Sequence, residues 1–264
     1  MERQEVPHQA PHHAAAPARL CEPLEISAPH PPDAAVIVLH GLGADVLDFV
    51  TAVRQLSFPG RARLRWVFPQ APERAITIEG GCRMRGWYDV RCYERARMDA
   101  EGIFESERII RGLVEREERR GVPPRRVVLA GFSQGGAMAL HAGLRYPQRL
   151  AGIVALSAGV PLPDSVPRCP TSGGAPILMG HGLLDRVLRY SLGAGSRDLL
   201  TGLGYRVEWH RYLAGHAVCQ RELGHVGRWL GRTLAGDAGP ASPALTRPHL
   251  RRATAGTVCA EMEG

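Results

Sequence analysis

Arg126-Val127-Val128-Leu129-Ala130, running straight into Gly131-Phe132-Ser133-Gln134-Gly135, is the stretch whose reading decides the fold. The apolar run has the length and composition of a buried strand. Residues 134–146 have the pattern of a helix that stops before Pro147. Between the two, a serine is flanked by glycines as G-x-S-x-G. Ten serines and 31 glycines in 264 residues give that pattern by chance in about one chain in seven, so the pattern alone decides little. Its placement decides more. A strand–turn–helix context is what a nucleophile elbow requires, because the glycines let the serine adopt a strained turn and project its Oγ. The plainer alternative is a glycine-rich turn with a packing serine, and the context favours the nucleophile.

Working outward, short apolar runs alternate with amphipathic stretches. Val36-Ile37-Val38-Leu39 reads as a buried strand, followed by a helix over about 45–56. A second strand is expected over 64–68, and 72–89, with Gly80-Gly81 and Gly86, as a long loop of the kind that carries function. A helix over 100–120 directs Ile103, Ile110, Leu113 and Val114 to one side and ends at Gly121 and Pro123-Pro124. Further strands are expected at 152–156 and 176–180. Tyr205, Val207 and Trp209 alternate with Arg206, Glu208 and His210 as a half-buried strand, and the last helix covers about 219–234. Strand alternating with helix predicts an α/β domain over 34–235: a mostly parallel sheet with helices on both faces. Residues 1–33, rich in Pro, His and Ala, and residues 236–264 read as flexible tails. His8, His12 and His13 lack partners at metal-ligand spacing, and the short basic segment 247–252 carries no further reading.

Composition excludes several function classes. No run of about 18 apolar residues exists, so no transmembrane helix is expected. The N-terminal residues lack the pattern of a secretory signal, and the expected compartment is the cytoplasm. The six scattered cysteines (21, 82, 92, 169, 219 and 259) then read as reduced thiols. The net charge of +7 invites a nucleic-acid reading. However, the arginines are interspersed with acids, as in Glu115-Arg116-Glu117-Glu118-Arg119-Arg120, and no basic stripe with aromatics is present. All 33 basic residues are arginine, and the chain contains neither lysine nor asparagine. That bias points to a GC-rich genome rather than to phosphate binding, and it removes lysine nucleophiles and Schiff bases.

A serine hydroxyl needs a general base, and the base needs a third group to hold its tautomer. Beyond Ser133 the domain offers His141, His181, His210, His216 and His225. His141 and His225 fall in helices and His210 on the outward side of a strand. His216, in Leu213-Ala214-Gly215-His216-Ala217, lies between a strand and the final helix, where a loop presents it to the carboxyl edge of the sheet. For the acid, Asp185 follows a strand at the same edge, whereas Asp198 falls within a helix and Asp164 in a Pro-rich loop. The oxyanion of acyl transfer needs two backbone donors. Gln134 N–H follows the nucleophile, and Leu42 N–H lies in His40-Gly41-Leu42-Gly43 after the first core strand. His40 itself reads as a structural histidine.

The chain resembles the carboxylesterase/acyl-protein thioesterase family, the phospholipase/carboxylesterase group of α/β-hydrolases. The resemblance rests on His40-Gly41-Leu42-Gly43-Ala44-Asp45, Phe68-Pro69-Gln70-Ala71-Pro72, Gly86-Trp87-Tyr88-Asp89, Gly131 to Gly136, His181-Gly182 ahead of Asp185, and Gly215-His216 ahead of Val218-Cys219. It implies a compact α/β-hydrolase without a large cap domain, cleaving short-to-medium acyl esters or thioesters with Ser133, Asp185 and His216. It also implies that Met84 and Trp87 line the acyl groove. Leu183-Leu184 before Asp185 and Val187-Leu188-Arg189 after it depart from the small residues and Val-Val-Pro of relatives, as does Ala217 from their Glu. The reaction calls for no metal or organic cofactor. The expected partner is a small acyl ester or thioester, with no nucleic acid and no integral membrane association; a homodimer is left open. A thioesterase or lysophospholipase on the same site, or a catalytically silent binding homologue, are the competing readings.

Overall fold

The computed structural model describes residues 22–27, 29–91, 98–168 and 174–235. Its centre is a seven-stranded sheet in the order β1-β3-β2-β6-β7-β8-β9. The strands are β1 (Leu24–Ser27), β2 (Ala34–Leu39), β3 (Leu64–Phe68), β6 (Val127–Phe132), β7 (Gly152–Leu156), β8 (Ile177–Gly182) and β9 (Val207–Tyr212). β1 pairs antiparallel with β3, and every other neighbouring pair is parallel. Five helices accompany them: α1 (Val46–Arg54), α2 (Ala100–Arg119), α3 (Gln134–Arg145), α4 (Tyr190–Gly202) and α5 (Gln220–Ala235).

Side chains alternate along a strand, so a sheet covered on both faces needs strands that are apolar throughout. β2 meets that need: Ala35, Ile37 and Leu39 enter one core with Ile110, Val114, Met138 and Leu140, while Val36 and Val38 enter the other with Val50, Val226 and Trp229. Helices α2, α3 and α4 therefore cover one face, and α1 and α5 the other. The parallel strands β2, β6, β8 and β9 all deliver their carboxyl ends to one edge. This is the edge at which open α/β sheets bind ligands.

Two segments differ from expectation. Residues 24–27, assigned to a tail, form β1. Their partner contacts lie far away in sequence: Arg120 donates twice to the Glu25 carboxylate, at 2.7 and 2.9 Å, and Arg116 lies 3.1 Å from it. The Arg120 hydrogen bonds hold the Glu25 carboxyl below its ordinary range. Residues 72–89 are not a featureless loop either. β4 (Glu73–Ile76) and β5 (Cys82–Arg85) pair antiparallel as a hairpin turned by Gly80 and Gly81, both at positive φ. His8, His12, His13, Cys21, Cys92, Cys169, Cys259 and the segment 236–264 lie outside the described residues; Cys82 and Cys219 are free thiols.

Candidate active site

The chain leaves β6 through the half-buried Phe132 and turns at Ser133, whose φ of 54° and ψ of −122° place a non-glycine residue in a strained region. The turn closes so tightly that its flanks admit only glycine. A Cβ on Gly135 would lie 2.1 Å from the Leu39 carbonyl oxygen, and one on Gly131 would lie 2.3 Å from the Gly135 backbone. Ser133 N–H donates to Leu156 O at 2.9 Å, and its own carbonyl accepts from Ala137 N–H at 3.0 Å. The serine is thus tied to β7 on one side and to the first turn of α3 on the other.

Three of the residues singled out in the sequence meet here. His216 Nε2 lies 2.9 Å from Ser133 Oγ, and His216 Nδ1 lies 2.7 Å from Asp185 Oδ2. A carboxylate only accepts, so Nδ1 carries the proton and Nε2 presents its lone pair to the serine hydroxyl. The Asp185 side chain is completely buried, and its Oδ1 accepts from Val187 N–H and Leu188 N–H, each at 2.9 Å. The Phe132 ring lies against the imidazole, with centroids 4.8 Å apart.

His181, which the sequence does not set apart from the other histidines of the domain, lies beside Asp185. Its Nε2 donates to Leu188 O at 2.8 Å and lies 3.4 Å from Asp185 Oδ2, so it clamps the acid loop from beneath. The other candidates stand apart. His141 pairs with Glu107 at 3.1 Å, and burial pushes its pKa down. His210 meets Glu208, and His225 meets the Tyr212 hydroxyl. Asp198 is exposed on α4 beside Arg197, and Asp164 is exposed in the 3-10 turn Pro163–Ser165.

The loop after β2 lies against the serine: a Cβ on Gly41 would sit 3.5 Å from Ser133 Cβ, an ordinary contact. His40 holds this loop. Its Nδ1 donates to Gly41 O at 2.7 Å and its Nε2 accepts from Ala71 N–H at 2.9 Å, while burial lowers its pKa and keeps it neutral. Both nitrogens are engaged, leaving none for Ser133. Gln134 opens α3 and is buried; its side chain accepts from Trp87 N–H at 2.8 Å and donates to Tyr88 O at 2.7 Å. Gln134 therefore joins the elbow to the segment after the hairpin.

A cavity of about 720 Å³ opens at Ser133 and His216. Leu42, Met84 and Val187 line its mouth. Its inner part runs between the sheet and helices α1 and α5, reaching Val36, Trp66 and Leu230. Of the two residues expected at an acyl groove, Met84 is among those lining this cavity. Trp87 is not: it is fully buried beside it, and its indole Nε1–H donates to His40 O at 2.9 Å. A buried indole needs that partner, and satisfying it turns the ring into the core. Among the described residues, no three His, Cys, Asp or Glu side chains are grouped to hold a metal ion.

Residues 23–234 match the family described as phospholipase/carboxylesterase. Acyl-protein thioesterase 1 of Neurospora crassa is 37% identical over 215 residues, covering 76% of this chain and 87% of that protein. Carboxylesterase SOBER1 of Arabidopsis thaliana is 30% identical over 209 residues, covering 77% and 92%. The crystal structure of SOBER1 superposes with a TM-score of 0.71 at 29% identity, covering 76% of this chain and 99% of that one. Acyl-protein thioesterase 2 of Zea mays, at 24% identity and a TM-score of 0.69, shares the fold.

Proposed function

This chain belongs to the phospholipase/carboxylesterase family of α/β-hydrolases and is a hydrolase of carboxylic ester bonds, and from that premise we propose that Ser133, His216 and Asp185 carry the reaction. The observation that supports this reading most strongly is the unbroken run of contacts from Asp185 Oδ2 through both imidazole nitrogens to Ser133 Oγ, at 2.7 and 2.9 Å. Ser133 Oγ attacks the acyl carbonyl as its proton passes to His216 Nε2. The buried Asp185 carboxylate holds the Nδ1–H tautomer and stabilises the imidazolium that forms. The carbonyl oxygen becomes an oxyanion, held by the N–H groups of Leu42 and Gln134. His216 then returns the proton to the departing alkoxide, leaving an acyl-Ser133 ester. Water attacks that ester with His216 again as base, which releases the carboxylic acid and restores the serine.

The substrate in this reading is a short-to-medium acyl ester. A second reading, a longer acyl thioester or a lysophospholipid, draws support from the depth of the cavity toward Trp66 and Leu230 and from the thioesterases among the relatives. Each further methylene buried there is worth about 0.8 kcal/mol, or about fourfold in kcat/KM. Hydrolysis of p-nitrophenyl esters from acetate to laurate and palmitate, by wild type and Ser133→Ala, tests both readings. The mutation is expected to lower turnover by about five to six orders of magnitude. Equal residual hydrolysis by both proteins, with fold intact, would remove the nucleophile. A maximum at short esters supports the first reading, and a rise through laurate the second.

A further inference from the structure

Seven large apolar side chains are exposed among the described residues, and four of them lie on two adjoining loops beside the cavity mouth: Leu183 (42%), Leu184 (60%), Val187 (43%) and Leu213 (83%). Leu183 N–H donates to Tyr212 O at 2.8 Å and Leu184 N–H to Ala214 O at 3.0 Å, so the loops after β8 and β9 run side by side. The small residues between them allow close approach: a Cβ on Gly182 would lie 2.4 Å from Gly215 O. Clusters of this kind mark interaction surfaces rather than ordinary solvent faces.

Charge identifies what the surface fits. Arg186, Arg189, Arg211 and Arg221 are exposed around it, and none is ion-paired among the described residues. The only acid in 183–189 or 211–221 is Asp185, whose side chain is completely buried against His216. Within these two loops no exposed acid offsets the arginines; the exposed acids at the cavity, Asp48 and Glu79, belong to α1 and the β4–β5 hairpin. A second copy of the chain would set the same patch against itself and bring the arginines face to face. An anionic lipid surface supplies apolar depth for the leucines and opposite charge for the arginines.

We propose that the loops 183–189 and 211–217 form a peripheral docking surface for an anionic bilayer. Val187 and Ala217 belong to this surface and also line the cavity, so docking sets the mouth on the membrane. An acyl chain then passes from bilayer to cavity without crossing water.

Flotation of the full chain with vesicles of phosphatidylcholine alone, or of phosphatidylcholine with phosphatidylglycerol, tests the surface. The wild type is expected to float with the anionic vesicles and to be released by salt. Leu184→Ser/Leu213→Ser weakens flotation by about tenfold or more, and each of Arg186→Ser, Arg189→Ser and Arg211→Ser by about fivefold. None of these substitutions changes hydrolysis of p-nitrophenyl acetate free in water. Vesicle binding needs no turnover, so it stands or falls separately from the proposed catalytic residues. Wild-type protein that ignores anionic vesicles, or variants that float as well as wild type, would overturn the proposal. So would a leucine pair variant that splits a dimer without altering flotation, which would assign the patch to a copy–copy contact.

Discussion

Asp185 and His216 sit on different loops, 31 residues apart, and are joined by a 2.7 Å hydrogen bond between Oδ2 and Nδ1. The other carboxylate oxygen is occupied by two backbone N–H groups, so the carboxylate cannot rotate away from the imidazole without losing both. Asp185→Asn puts an amide where only an acceptor serves, and it selects the wrong imidazole tautomer. The expected result is a loss of about four orders of magnitude in kcat with KM little changed, measured by steady-state kinetics on a short ester. A loss under about tenfold would mean that the base is oriented by something else.

Gly135 faces the Leu39 and His40 carbonyl oxygens at distances a side chain cannot share. Gly135→Ala must therefore push α3 away from β2 or reshape the turn. The expected cost is about 3 kcal/mol in urea unfolding, and ester hydrolysis falls even in the protein that remains folded, because Ser133 is displaced. An alanine variant with wild-type kinetics would show that the elbow tolerates relaxation.

Gln134 separates two roles that share one residue. Its backbone N–H is the proposed oxyanion donor, while its side chain ties down Trp87 N–H and Tyr88 O. Gln134→Ala strands two buried backbone groups at about 1–3 kcal/mol each and leaves the backbone donor in place. Stability is expected to drop by about 2–6 kcal/mol while kcat at low temperature stays within about tenfold. A collapse of kcat without a loss of stability would assign the side chain a direct part in the reaction.

Glu222 supplies a pH signature. Burial pushes its pKa up to about 7 from an ordinary 4.5, against the opposing effect of a backbone hydrogen bond from Cys219 at the start of α5. The folded protein keeps this proton where the unfolded chain has released it. Folding stability from this group is therefore intact below pH 4.5, declines as pH rises toward 7 and stays lowered above it. The full loss is about 3 kcal/mol. Glu222→Gln retains an acceptor for Cys219 and abolishes the titration. Urea unfolding should show the variant more stable than wild type by up to that amount near pH 8, and equal to it near pH 4. An equal gain at both would rule out titration as the cause.

The sequence announced its core strands and the elbow because those features are local. Val127 to Ala130 are apolar on both faces, and only a strand buried in a parallel sheet tolerates that. β1 was hard to read because the alternation of Leu24-Glu25-Ile26-Ser27 lasts only four residues beside a Pro/His/Ala-rich stretch, and its anchors, Arg116 and Arg120, lie about ninety residues away. The β4–β5 hairpin was hidden by polar strands such as Cys82-Arg83-Met84-Arg85, held by contacts like that of Arg74 with Gly86 O rather than by burial. That Trp87 lines the groove is what the family resemblance implies, and only the position of His40 O shows that its indole turns inward. The inner cavity was equally invisible, since Val36, Val38 and Val154 read as plain core whether or not a gap lies above them.

The central claim is that Ser133 is the residue acylated during turnover. Reaction of the folded chain with a fluorophosphonate probe, followed by mass-spectrometric location of the adduct, tests it most directly. A single adduct on Ser133 is expected, absent from Ser133→Ala and strongly slowed in Asp185→Asn. An adduct on another residue, or none on folded wild-type protein, would contradict it.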